Sequence, residues 1–178
     1  MIQLETERLI IRNYRDNDLK EVYDYFSNEV VARYEDFDPM TVEEVNEEIS
    51  KWKDMDNRLV AELKDSHKVI GSIGYWIDED EDYSIDYDFN PAYKKQGYAT
   101  EAGQELLKYL FNEIGINQIY GDCDIRNVDS WKLLERLGFK RIKQIDNESY
   151  KDDAEGNPLL ISIYIYLLKR DDLGDWNN

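Results

Sequence analysis

The tightest constraint on this chain lies between Asn90 and Ala102, which read N-P-A-Y-K-K-Q-G-Y-A-T-E-A. A strand-like run, Tyr83 to Phe89, precedes this stretch, and an amphipathic helical pattern from Thr100 to about Glu113 follows it. Gly97 and Ala99 let the main chain pass from strand to helix with little side chain in the way, so that backbone N–H groups can converge on one point. The same point is a helix N-terminus, where unpaired N–H groups and the macrodipole favour an anion. Lys94 and Lys95 add positive charge there, in a chain whose net charge is −18. The pattern specifies a strand–turn–helix suited to an anion. A bare turn that binds nothing fits it equally well.

Three blocks taken together say more. Lys94-Lys95-Gln96-Gly97-Tyr98-Ala99 resembles the Q/R-x-x-G-x-G/A pyrophosphate loop of the GNAT acetyltransferases. Lys94 stands where that family usually has Gln or Arg, and so offers a phosphate a point charge and not a planar donor. Leu4 to Tyr14 (L-E-T-E-R-L-I-I-R-N-Y) and Asn127 to Phe139 (N-V-D-S-W-K-L-L-E-R-L-G-F) resemble elements of its RimJ/RimL-type branch, in the same order and across nearly the full length. The resemblance implies an α+β, GNAT-like fold: a mixed, mostly antiparallel sheet of six or seven strands, helices on both faces, and a parallel strand pair that splays apart. It implies acetyl-CoA as co-substrate, with pantetheine along Tyr87, Asp88 and Phe89. The diphosphate would lie at Lys94, Lys95, Gln96, Gly97, Tyr98, Ala99 and Thr100. Asn127 would hydrogen-bond the cofactor, and Ser130 would face the sulfur. Many members place a Tyr four residues before the Gly of G-F to assist the leaving thiolate; here that position is Leu134.

Periodicity supplies the rest of the frame. Ile2 to Arg12 reads as a first strand, and Asp16 or Asn17 can cap a helix bearing Leu19, Val22, Tyr23 and Phe26. Thr41 with Glu44 three residues on forms a capping-box pattern for a helix that turns Val45, Ile49 and Trp52 inward. Arg58–Leu63 and Val69–Ile77 read as a hairpin, and Gln118–Ile125 as the strand after the amphipathic helix. The strand–helix–strand unit implies a right-handed parallel crossover. A helix over Val128–Leu137 stops at Gly138, and the segments 139–150 and 159–168 close the sheet as an antiparallel pair. Residues 1–170 read as a single domain and 171–178 as a polar tail.

Composition excludes several classes. With 40 acidic against 22 basic residues, affinity for nucleic-acid phosphates is not expected; the charge would attract cationic partners, and a role in solubility alone fits it equally well. No apolar run reaches membrane-span length, and the lone Cys123 has no internal disulfide partner, which fits a reducing cytoplasm. No Cys/His cluster has metal-ligand spacing, so no metal is expected, and His67 falls in a hairpin turn. The oligomer expected is a monomer or homodimer.

The chemistry implied by the resemblance is transfer of acetyl from acetyl-CoA to a primary amine by direct attack in a ternary complex. The acceptor is a protein N-terminal α-amine or a small polycationic amine. A non-catalytic acyl-CoA-binding protein of the same fold is the alternative. Attack requires a neutral amine, donors for the oxyanion and help for the departing thiolate. Ser130 is the thiolate partner, and Asp86 and Glu35 lead the carboxylates that could take the amine proton, with Asp36 and Glu148 behind them. Tyr25, Tyr34, Phe37 and Trp76 are aromatic candidates for the acceptor pocket.

Overall fold

The computed structural model describes residues 1–153 and 155–173. Eight strands form one sheet in the order β1-β2-β3-β4-β5-β6-β8-β7: β1 Gln3–Glu5, β2 Leu9–Asn13, β3 Arg58–Leu63, β4 Val69–Ile77, β5 Tyr83–Phe89, β6 Gln118–Asp124, β7 Lys140–Glu148 and β8 Ile161–Lys169. Every neighbouring pair is antiparallel except β5 and β6, which run parallel and share a single ladder position, Ser84 opposite Tyr120. Beyond Ser84 the two strands part. Their facing main-chain groups therefore leave the ladder where a ligand could take them up.

Eight strands replace the expected six or seven, and one reason lies at the N-terminus. The alternation over Ile2–Arg12 is a tight hairpin and not one strand. Thr6 Oγ1 accepts from the Leu9 N–H at 2.9 Å, and the Thr6 N–H donates to the Leu9 carbonyl at 3.0 Å. A hydroxyl closing its own turn needs no Gly or Pro to announce it.

The helices are α1 Leu19–Phe26, α2 Glu29–Ala32, α3 Val42–Trp52, α4 Tyr98–Tyr109 and α5 Val128–Arg136. The Thr41/Glu44 capping box opens α3. Asp18, and not Asp16 or Asn17, stands at the head of α1, where its carboxylate accepts both terminal nitrogens of the buried Arg12 at 2.8 Å. The short α2, absent from the periodicity, is capped by Asn28 Oδ1 accepting from the Val30 N–H at 2.9 Å. Helix α4 starts two residues before Thr100, directly after Gly97, whose φ of +84° is the left-handed geometry a glycine adopts freely. Its C-terminal part, Leu110–Ile114, widens into a π turn that Gly115 closes at φ +84°. At the end of α5, the Gly138 and Phe139 N–H groups donate to the Glu135 and Leu134 carbonyls, the Schellman pattern.

Two apolar clusters lie within the fold. One joins Leu106, Leu107, Leu110 and Phe111 of α4 and its π turn, with Leu133 and Leu134 of α5, to the sheet; the other packs Val22, Tyr25 and Phe26 of α1 with Val45 and Ile49 of α3. Each fully buried Leu or Phe contributes about 1.5–3 kcal/mol relative to exposure, so α4 is held down firmly behind its exposed N-terminus. Arg170–Asp172 form a 3-10 turn and Leu173 packs on the first cluster; the remainder of the expected tail, residues 174–178, lies outside the described residues. Among those described, no helix is long and apolar enough to cross a membrane.

Candidate active site

The splay between β5 and β6 opens into a cavity of about 730 Å³. Lys94, Lys95, Gly97, Tyr98, Ala99 and Thr100 line one end, where the first turn of α4 begins with unpaired N–H groups. Gln96 does not line it; its carbonyl accepts from Arg8 Nη1 at 3.0 Å. Arg8 was not foreseen as a site residue. It leaves the β1–β2 turn, lies 4.3 Å over the Tyr98 ring, and pairs with Glu101 in the first turn of α4 (Nη2–Oε2 2.6 Å). The L-E-T-E-R-L block contained the signal, since it puts a cation on the turn that Glu101 grips. A Cβ at Gly97 would sit 3.4 Å from Arg8 Nη2, so loop and guanidinium are in close contact. Lys94 already faces a carboxylate, Asp129 of α5, at 2.9 Å.

Deeper in, Tyr87, Asp88 and Phe89 line the same cavity from the parted end of β5, and Asn127 and Ser130 line it from the start of α5. Asn127 is a helix cap: its Oδ1 accepts from the Ser130 N–H at 3.2 Å. That bond fixes the first turn of α5 and so the direction in which Ser130 leaves it. Ser130 Oγ lies 2.9 Å from the Tyr87 hydroxyl. Leu134, one turn further along, is fully buried and brings no polar atom to the site.

Carboxylates gather where the cavity continues into a small chamber of about 60 Å³, whose walls include Tyr34, Glu35, Asp86, Asp122, Cys123 and Tyr150. Glu35, Tyr87, Asn127 and Ser130 border both spaces, so the two communicate. Burial is the largest influence on the Glu35 carboxyl; with the nearby charges of Asp86, Asp36 and Asp122 it lifts the pKa to about 7. Asp86 is raised by burial against the opposing effect of Arg58, with which it forms an ion pair, though 37% of its side chain still faces the cleft. Asp88 is raised well above the carboxylate range by burial and by Glu35 and Asp86.

Two residues unforeseen in the sequence tie together the segments around this chamber. Tyr150 donates to Asp122 Oδ2 at 2.6 Å. Lys151 Nζ donates to the Ala32 and Phe37 carbonyls at 3.3 and 3.1 Å and to Asp38 Oδ1 at 3.1 Å, fastening the loop that carries Glu35. Of the aromatic candidates only Tyr34 lines the chamber. Tyr25 is buried with its hydroxyl 2.6 Å from Ser72 Oγ, Phe37 packs edge-on against Phe26, and Trp76 is solvent-exposed. His67 lies outside the site against Glu62 at 2.8 Å, Asp36 is exposed on the Glu35 loop, and Glu148 ends β7 without lining either space.

A parted parallel pair thus lies beside a helix N-terminus, with a hydroxyl and carboxylates across the gap. The chain is similar to an uncharacterized N-acetyltransferase, YnaD, of Bacillus subtilis, with 31% identity over 142 residues, 79% of this chain and 84% of the relative. The crystal structure of a GNAT-family acetyltransferase from Bacillus anthracis superposes with a TM-score of 0.84 at 27% identity, covering 96% of this chain and 99% of the other. A spermidine N-acetyltransferase from Vibrio cholerae, solved with CoA and spermine, shares the fold at 18% identity, with a TM-score of 0.78 and coverage of 97% and 100%. The acetyltransferase (GNAT) domain family matches residues 8–140, three-quarters of the length, and so this chain belongs to the GNAT acetyltransferases and is an acetyl-CoA-dependent acyltransferase.

Proposed function

We propose that this enzyme acetylates a primary amine of a small polycationic molecule, within the RimJ/RimL-type branch that the three sequence blocks resemble. The observation that carries this acceptor class is the chamber of about 60 Å³, lined by Glu35, Asp86 and Asp122 together with Tyr34 and Tyr150. A space of that size admits an aminoalkyl end and leaves little room for the main chain of a peptide on both sides of an N-terminal residue. Carboxylates around an ammonium supply the attraction that a protein with net charge −18 already exerts at longer range. The Vibrio cholerae neighbour acts, by its name, on spermidine, which is in keeping with the same chemistry.

In this reading acetyl-CoA lies in the larger cavity, its diphosphate at residues 94–100 and its pantetheine along the open edge of β5. The acceptor enters the chamber as a cation and loses a proton to Glu35, whose pKa of about 7 suits a general base at neutral pH. The amine nitrogen then forms a bond to the thioester carbonyl carbon. A main-chain N–H on the parted edge of β5 receives the oxyanion, and Ser130 hydrogen-bonds the sulfur as the C–S bond breaks. Asp86, held by Arg58, and Asp122 share the chamber wall with Glu35.

The test is acceptor-dependent release of the CoA thiol from acetyl-CoA with spermidine, kanamycin and short peptides bearing free N-termini. Turnover is expected with the small polycations. Turnover with peptides alone would overturn the acceptor class.

A further inference from the structure

The Tyr87 side chain crosses the splay from β5 to α5. Its hydroxyl lies 2.9 Å from Ser130 Oγ and, at the longer distance of 3.3 Å, from the Ser130 carbonyl oxygen, and its single proton can be given fully to only one of them. Ser130 stands in the first turn of α5, where no helical carbonyl lies four residues before it, and its oxygen faces Tyr87. Burial, the largest influence on Tyr87, raises its pKa far above the tyrosine range, so the phenol keeps its proton at any working pH.

We propose that Tyr87 is the positioning residue for Ser130: the phenol donates to Ser130 Oγ, which leaves the serine's own proton directed into the cavity. The serine is then not only aimed but strengthened, because a hydroxyl that accepts a hydrogen bond becomes a better donor. The position four residues before Gly138, where many family members keep a tyrosine, holds the buried Leu134. The phenol reaches the sulfur side from the strand instead, one hydroxyl removed. This rests on the reading of Ser130 as the group that meets the departing sulfur.

The step balances without either hydroxyl losing a proton. The C–N bond forms, the C–S bond breaks, and sulfur keeps the electron pair as a thiolate. The nitrogen loses two protons: the ammonium proton passes through Glu35 to solvent before attack, and the second, shed as the amide forms, leaves by the same carboxylate. The thiolate is held by the Ser130 O–H, supported by Tyr87, and is protonated from solvent on release.

The test needs no acceptor. CoA is bound to the protein and its thiol is titrated by thiolate absorbance, with the desulfo-CoA complex as the blank for tyrosine. A directed Ser130 O–H stabilises the thiolate, so the bound thiol is expected to be about tenfold more acidic than free CoA. Ser130→Ala should abolish the shift, Tyr87→Phe should remove most of it, and the double variant should match Ser130→Ala. CoA affinity by calorimetry should stay within twofold in Tyr87→Phe. If Ser130→Ala abolishes the shift while Tyr87→Phe retains it, the positioning role falls and the Ser130 reading stands. No shift in the unsubstituted protein, or one that survives Ser130→Ala, overturns both. Loss of CoA affinity in Tyr87→Phe would make the phenol a binding or packing group and overturn the proposal.

Discussion

The two ends of the cleft are built by different means. At the end we assign to CoA the work falls to main chain: a left-handed glycine, the first turn of α4 and the open edge of β5, with Arg8 and the lysines adding charge. At the end we assign to the acceptor it falls to side chains from four separate places: Glu35 after α2, Asp86 on β5, Asp122 on β6 and Tyr150 before β8. Backbone sites tolerate changes of side chain and depend on conformation. Side-chain sites depend on every member's charge and on the loops that aim it.

That contrast is open to attack. The largest effect expected is from Glu35→Gln, which should lower kcat/KM for a polycationic acceptor about 100-fold while acetyl-CoA binding changes less than twofold. The unsubstituted enzyme should gain activity as pH rises through about 7, because a base acts only once deprotonated, and the variant should lose that limb. Equal losses for both substrates would show that the two ends are not independent.

Gly97→Val should do the opposite. A β-branched residue at φ +84° is strained and its Cβ meets Arg8, so CoA affinity by calorimetry should fall at least tenfold, roughly 1.4 kcal/mol. An unchanged affinity in a folded variant would move the diphosphate away from this loop.

Lys151→Met keeps the aliphatic stem and removes the three bonds to residues 32–38. The acceptor KM should rise about fivefold, with kcat at saturation nearly kept.

The smallest effect is on stability. Glu35 titrates at about 7 when folded and near its ordinary value of 4.5 when unfolded, so folding takes up a proton between those values. Its contribution is intact below pH 4.5 and is lost as pH rises through 7. Glu35→Gln should therefore raise Tm by a few °C at pH 8, corresponding to about 1 kcal/mol, with a smaller gain at pH 5.5. A variant less stable at pH 8 would mean that the carboxylate is held by cations and not crowded by carboxylates.

The same contrast governs what could be read from the amino acids alone. Arg58–Leu63, Val69–Ile77 and Tyr83–Phe89 are strands with the expected bounds, since alternating or continuous apolar runs between turn residues carry their own limits. The loop at Gly97 is legible because a conformational demand leaves a mark on residue type. The N-terminal hairpin was hidden because Thr6 closes it by a side-chain hydrogen bond. The acceptor end was barely legible. Lys151 meets Ala32 across 119 residues of sequence, and nothing local in either segment names the other. Forty acidic residues also left no means of telling Glu35 from its neighbours until the fold enclosed it.

The clasp made by Lys151 has a consequence for how such an enzyme could change its taste. Its three acceptors lie at the end of α2 and on the segment that follows it, and the lysine lies on another segment, with neither in the eight-stranded ladder. The two segments are therefore a matched pair, free to vary beside a sheet that need not move, but not free to vary singly. A chimera that takes residues 29–38 from a relative without residues 149–153 would strand a lysine or orphan two carbonyls. Exchanged together, they would carry one parent's choice of amine onto the other parent's acetyl donor site.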